Sequence, residues 1–127
     1  KIMILNKKDY VDKAQKVMDK LQKDKSFDLT TTKIRGLLAM TMDIYNEIMP
    51  LTEDELSDEI NGKINFLKVH VLYEAGRNRK DVKKFVEEAQ IIPCIDEIQG
   101  SRERYILFSS YMEALVAYFK FNGGRDY

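Results

Sequence analysis

Tyr111-Met112-Glu113-Ala114-Leu115-Val116-Ala117-Tyr118-Phe119-Lys120, closed by Asn122-Gly123-Gly124, is the stretch from which the fold is read. With Phe108, its Tyr111, Met112, Leu115, Val116 and Phe119 recur at the spacing of one helical face. Ser101 is a good N-cap for this last helix, and the paired glycines stop it.

The same period recurs in almost every other segment, and strict alternation persists nowhere. Tyr10, Ala14, Val17, Met18 and Leu21 form a first stripe that ends at Asp24-Lys25-Ser26. Ile34, Leu37, Leu38, Thr41, Tyr45 and Ile48 form a second, stopped by Pro50. Thr52-Glu53-Asp54-Glu55 has the pattern of a capping box, with Glu55 reaching back, and is expected to open the third helix. That helix runs through Leu56, Ile60, Ile64, Leu67 and Val71; Phe66, Val69 and Tyr73 widen its apolar surface, which predicts a central position. Gly76 marks its end, and Asn78 or Asp81 starts the next helix with Val82, Phe85, Val86 and Ala89. Pro93 opens a short helical turn carrying Ile95 and Ile98, broken at Gly100. The reading is all-α: a compact bundle of five longer helices plus one short helix, one domain over 1–127. Residues 1–8 are expected to be partly disordered or foreign to the natural chain, with Met3 its start.

At 127 residues the chain is long enough for one core without disulfide or metal. Charged residues make up 33%, above the usual quarter, as solvated outer faces of amphipathic helices require. The single cysteine, Cys94, forms no intrachain disulfide, which suits a reducing cytoplasm. No apolar run reaches membrane-spanning length and nothing resembles a signal peptide. Formal net charge is zero, which counts against a free-standing basic nucleic-acid binder. The charge is nevertheless segregated. Glu53, Asp54, Glu55, Asp58 and Glu59 form an acidic patch, and Arg77, Arg79, Lys80, Lys83 and Lys84 a basic one.

No catalytic constellation is legible. His70 has no second ligand at metal spacing, and the nearest arginine before it is Arg35, unlike the arrangement of metal-independent helical ribonucleases. Cys94, between Pro93 and Ile95, reads as a small buried hydrophobe. The carboxylates lack the Glu-x-x-His pairs of a bundle metal site. No cofactor is called for.

Anion binding is the one functional signal. Thr30, Thr31 and Thr32 occupy cap and first-turn positions of the second helix, followed at once by Lys33 and Arg35. Cations there have the wrong sign for the helix dipole, yet free N–H groups, hydroxyls and two cations suit an external phosphate. With Ile34 inward, Lys33 and Arg35 lie about 100° to either side and can both stay wet. Simple threonine capping with incidental cations accounts for the pattern as well. Arg77, Arg79 and Lys80 follow the third helix, where the dipole alone favours them, and Lys68 could share their surface. Tyr105, Phe108, Tyr111, Tyr118 and Phe119 could offer a stacking platform, but their spacing favours core packing.

Three segments, Leu29-Thr30-Thr31-Thr32-Lys33-Ile34-Arg35, Phe66-Leu67 through Tyr73-Glu74-Ala75-Gly76-Arg77, and Tyr111 to Lys120, stand in a specific order and spacing. On these the chain resembles the small subunit of the type III-A (Csm) CRISPR RNA-guided effector complex, from about Leu29 to Gly124. Gly123-Gly124-Arg125 matches the Gly-Gly-basic ending of that family. The resemblance implies a helical bundle without nuclease activity, stacked in several copies along guide RNA and target RNA in antiviral defence. Its partners would be those RNA backbones, further copies of itself, and the backbone and large polymerase-like subunits. By the same resemblance Lys33, Arg35, Lys68, Arg77, Arg79 and Lys120 would face RNA, a neighbouring lysine being able to replace Lys68 or Lys120. The alternative from a different class is a purely protein–protein helical scaffold whose basic patches are only solvated faces.

Overall fold

Six helices form in the computed structural model, which describes residues 3–127: α1 (Tyr10–Lys23), α2 (Arg35–Ile48), α3 (Asp58–Arg77), α4 (Val82–Glu88), α5 (Ile91–Asp96) and α6 (Arg102–Phe121). A 3-10 turn, Thr32–Ile34, leads into α2. Among the described residues β-pairing is limited to two isolated bridges, Thr30–Arg125 and Glu55–Ser101. The expectation for Lys1 and Ile2 lies outside the described residues.

The helix the spacing predicts from Ser101 is the spine of the core. The Ser101 hydroxyl accepts from Arg104 N at 3.1 Å, and Tyr105, Phe108, Tyr111, Met112, Leu115 and Phe119 are buried. Two phenols cross the core and satisfy backbone carbonyls there: Tyr105 donates to Thr41 O at 2.8 Å and Tyr111 to Ala89 O at 2.9 Å. Those bonds remove the cost of burying a hydroxyl and fix how α2 and the end of α4 sit against α6. Ala14, Val17, Met18 and Leu21 of α1 complete one side of the core; Leu37, Ile44 and Ile48 of α2 and Ile60, Ile64, Leu67 and Val71 of α3 complete the other. Ahead of α1, Ile4 N and Leu5 N donate to the Glu97 carboxylate at 2.7 and 2.9 Å, with the Leu5 side chain in the core.

Helix directions decide what meets at each end. Gln22 at the end of α1 donates to Phe119 O at the end of α6, so these two run parallel. Arg102 at the start of α6 donates to Met49 O just beyond α2, so α2 runs the other way. One end of the molecule therefore gathers the C-termini of α1, α3 and α6 with the N-termini of α2 and α4.

The structure corrects three expectations. Thr52-Glu53-Asp54-Glu55 is no capping box: α3 starts at Asp58, capped by Ser57, whose hydroxyl accepts from Ile60 N at 3.2 Å. Residues 54–56 are instead held extended, Leu56 N donating to Gly100 O at 2.8 Å and Arg102 N to Asp54 O at 2.9 Å. Gly76 lies inside the last turn of α3, which is closed by Asn78 N on Glu74 O. Nor is the broad apolar surface of α3 central. Phe66 is 63% and Tyr73 62% exposed, with Val69 and Leu72 exposed beside them. Leaving a side chain of this kind in water forgoes about 1.5–3 kcal/mol of possible burial.

Candidate nucleic-acid interface

Thr30, Thr31 and Thr32 lead into the 3-10 turn, with Thr31 at its N-cap position and Thr32 its first residue, rather than into α2 itself, which begins at Arg35. Thr30 Oγ1 accepts from Lys33 N at 3.4 Å. The donors of the next two residues are already engaged. Thr31 N donates to Arg125 O at 3.2 Å and Thr32 N to Asp126 O at 2.9 Å, while Thr31 Oγ1 donates to Asp126 Oδ1 at 2.9 Å. Lys120 Nζ reaches the same carboxylate oxygen at 3.0 Å. The Lys120 hydrogen bond first, then that of Thr31 and the charges of Lys120 and Arg35, hold the Asp126 carboxyl below its ordinary range. The sequence-predicted anion site thus already contains an anion, one supplied by the chain.

The segment bringing it there is built by two glycines. Gly123 takes a positive φ of 95°, reversing the chain after α6, and Gly124 N closes on Phe119 O at 2.8 Å. A methyl group added at Gly124 would overlap the Phe119 ring. Only glycine lets the backbone lie this close, so the Gly-Gly pair both ends the helix and routes residues 125–126 across the threonines. Arg125 adds an ion pair to Asp28.

The six predicted RNA-facing cations fare differently. Arg35 is exposed, its Nη2 3.5 Å from Thr32 Oγ1, and Arg79 is exposed; neither forms an ion pair among the described residues. Arg77 Nε lies 3.3 Å from Glu74 Oε1, its guanidinium 6.0 Å from the Tyr73 ring centroid. Lys120 meets Asp126 as described. Lys33 is not the freely solvated cation the helical wheel predicts: its amine turns to Asp28 O at 2.7 Å and to Asp81 Oδ2 at 3.1 Å, and Asp81 is buried. Lys68 does not share a surface with Arg77. Nine residues apart at about 100° each, the two lie on opposite sides of α3. Lys68 Nζ pairs with Asp96 of α5 at 2.6 Å, in a crevice shared with Asn61 and Gln99.

Arg35, Arg77, Arg79, Lys80 and Lys120 therefore stand at the one end where α2 begins and α3 and α6 finish, with Lys33 behind them. Positive charge at the ends of α3 and α6 is favoured by their dipoles. Ion pairs between exposed side chains contribute about 0–1 kcal/mol, so Lys120 can exchange its carboxylate for another anion at little cost; Arg77 is itself exposed, but its partner Glu74 is largely covered. Lys33 cannot do so without stranding Asp81.

Two acids of this end, Asp81 and Asp126, escape a reading of the sequence. Asp81 hid behind its role as an N-cap candidate, which Asn78 performs instead by accepting from Asp81 N at 3.0 Å and Val82 N at 3.3 Å. Asp126 stands 95 residues from Thr31, and its only signal was the Gly-Gly turn before it.

The nominated aromatics are core: Tyr105, Phe108, Tyr111 and Phe119 are buried and Tyr118 is partly so. The aromatics more than half exposed among the described residues are Phe66, Tyr73, Phe121 and Tyr127. His70 is half-buried, its ring packed over Gly36 of α2. Cys94 is buried, which pushes its thiol up to about 12. No group of three His, Cys, Asp or Glu side chains suited to holding a metal occurs among the described residues. No helix among them is long and apolar enough to cross a membrane.

Comparison with known proteins places these features in a lineage. A family model described as Csm2 Type III-A matches residues 5–125. The chain is 41% identical over 125 residues to a Streptococcus thermophilus protein named CRISPR system Cms protein Csm2, covering 97% of this chain and 98% of the relative. It is 34% identical over 118 residues to a protein of that name from Mycobacterium tuberculosis, covering 93% and 94% respectively. Over 95 residues it is 32% identical to another from Enterococcus italicus, covering 73% and 67%.

Proposed function

This chain belongs to the Csm2 family, the small subunit of the type III-A CRISPR Csm complex, and on that premise we propose that it is a non-catalytic, RNA-backbone-binding subunit. In this reading it stacks in several cytoplasmic copies along guide and target RNA, beside the backbone and large subunits. One observation carries the RNA reading: Arg35 and Arg79, the two candidate cations without an ion pair among the described residues, stand at the same end as Arg77 and the exchangeable Lys120. Such cations, with no base-reading motif beside them, suit phosphates and not sequence. The neutral net charge fits a subunit held on RNA through avidity with its neighbours.

A different observation supports the stacking. The exposed row Phe66, Val69, Leu72 and Tyr73 on α3 is a surface whose burial needs a partner. It lies on α3 beside the cationic end, so protein contact and RNA contact can be made together. The scaffold-only reading keeps this row and discards the cations.

Titration of single-stranded RNA of mixed sequence against the isolated subunit at several salt concentrations tests the proposal. About three phosphates neutralised per subunit give a slope of log K against log salt near −2, at roughly 0.7 per contact. Salt-independent binding, or strong preference for one sequence, contradicts the electrostatic reading.

A further inference from the structure

We propose that residues 123–126 form a displaceable strap whose Asp126 carboxylate holds, in the unbound subunit, the place an RNA phosphate takes on binding. The proposal rests on the RNA-binding reading for its biological ligand, but the strap's own chemistry is on the page.

Four things converge on this short segment. Its carbonyls accept the backbone N–H groups of Thr31 and Thr32, which a phosphate would otherwise take. Its carboxylate accepts the Thr31 hydroxyl and the Lys120 ammonium. These donors come from separate elements, the turn before α2 and the end of α6, so one small anion at that point ties both together. Arg35 adds positive potential felt by the same carboxylate. The result is a set of hydroxyl, amide and cationic donors already arranged around a single negative group. A phosphate has the same need for charge and more acceptor oxygens to offer.

The carboxylate end of the strap is also open to water, as a placeholder must be. Asp126 and Lys120 have 58% and 44% exposed side chains, and exposed pairs of this kind contribute little. Its fixed point is upstream, where Gly124 lies on the Phe119 ring, and its far side is tied by Arg125 to Asp28. Displacement therefore swings a few residues and leaves α6 intact. It costs RNA one competing anion per subunit, which lowers affinity for stray anions and is repaid where several subunits bind one strand.

The test compares wild type with Asp126→Asn and, as a control of equal charge change at the opposite acidic patch, Glu53→Gln. Each is titrated with inorganic pyrophosphate while the amide resonances of Thr31 and Thr32 are followed. The proposal expects Asp126→Asn to bind pyrophosphate about fivefold tighter than wild type, with the shifts centred on Thr31, Thr32 and Lys120, and Glu53→Gln to match wild type. Equal affinity for all three proteins, or shifts centred elsewhere, overturns it. An equal gain in Glu53→Gln also overturns it, since the effect is then one of total charge. A parallel titration with oligouridylate separates the two readings. Tighter pyrophosphate binding without any oligouridylate binding leaves the strap standing and defeats the RNA reading.

Discussion

Lys33 Nζ lies 3.1 Å from Asp81 Oδ2, joining the turn before α2 to the start of α4. Asp81 is 3% exposed, and its other oxygen accepts from Asp28 N at 2.8 Å. A cation placed by sequence at an RNA surface is thus the partner of a buried acid. Burial raises the Asp81 pKa, but the Asp28 N–H and the hydrogen bond and charge of Lys33 outweigh it, and the net direction is below the ordinary 3.8.

A depressed folded-state pKa stabilises the protein above the unfolded value and ceases to do so as pH falls through the folded value. Asp81→Asn is therefore expected to cost about 1–3 kcal/mol near neutrality, by leaving Lys33 and the Asp28 N–H poorly paired. The loss should begin to shrink below about pH 4, where the unfolded carboxyl takes up a proton, and should vanish only as pH falls through the lower folded-state pKa. Urea unfolding of both proteins at pH 7 and pH 3 measures it. A constant difference between the two would show that Asp81 acts through shape and not charge.

The two cations flanking Ile34 should separate cleanly. Lys33→Glu sets a second carboxylate against buried Asp81 and should cost several kcal/mol or prevent folding. Arg35→Glu should change stability by less than about 0.5 kcal/mol, because an acid suits a helix N-terminus and offsets the lost attraction to exposed Asp126. Thermal unfolding of the single variants decides; equal effects would mean that the Asp81 contact contributes nothing.

Ser57→Ala should cost about 0.5–2 kcal/mol through the lost N-cap of α3, whereas Thr52→Ala should change stability by less than about 0.5 kcal/mol. Chemical denaturation checks both. The reverse order would restore the capping box at residues 52–55.

These contrasts show where the sequence was legible. Stripes such as Tyr10 to Leu21 and Ile34 to Ile48 are local periodicities, and they appear as α1 and α2 with buried faces at the expected positions. The start of α3 was misread because two good caps, Thr52 and Ser57, stand five positions apart. What selects between them is the pairing of residues 54–56 with residues 100–102, which no local pattern contains. The outward face of α3 was misread for a related reason: breadth of apolar surface says that a helix needs cover, not whether the chain itself provides it. At the cationic end, residue type and dipole sense singled out the threonines and the two cations beside them. Asp126, which meets Thr31 and Thr32, and Asp81, which meets Lys33, lie far away in the chain and could be found only by folding it.

Cys94 should be inert in the native protein. With its thiol pushed up to about 12 by burial, thiolate is scarce at pH 8, and reaction with a disulfide reagent should wait on unfolding. Rapid stoichiometric labelling without denaturant would contradict the burial.

Phe66→Ser with Val69→Ser should leave the isolated subunit's stability within about 0.5 kcal/mol of wild type, since both side chains are exposed. Assembly on guide RNA should nevertheless carry fewer copies, read as a lower sedimenting mass. Unchanged mass would remove the α3 face from the stacking.

The most direct test of RNA-backbone binding is the affinity of the Arg35→Glu, Arg79→Glu double variant for guide and target RNA, with its melting temperature measured alongside. Both side chains are exposed and without ion pairs among the described residues, so melting should stay at the wild-type value. Affinity should fall at least about tenfold per contact, from the loss of roughly 1.5 kcal/mol of charge-assisted bonding each. Unchanged melting with unchanged RNA affinity would contradict the RNA-backbone reading and leave the protein–protein scaffold in its place.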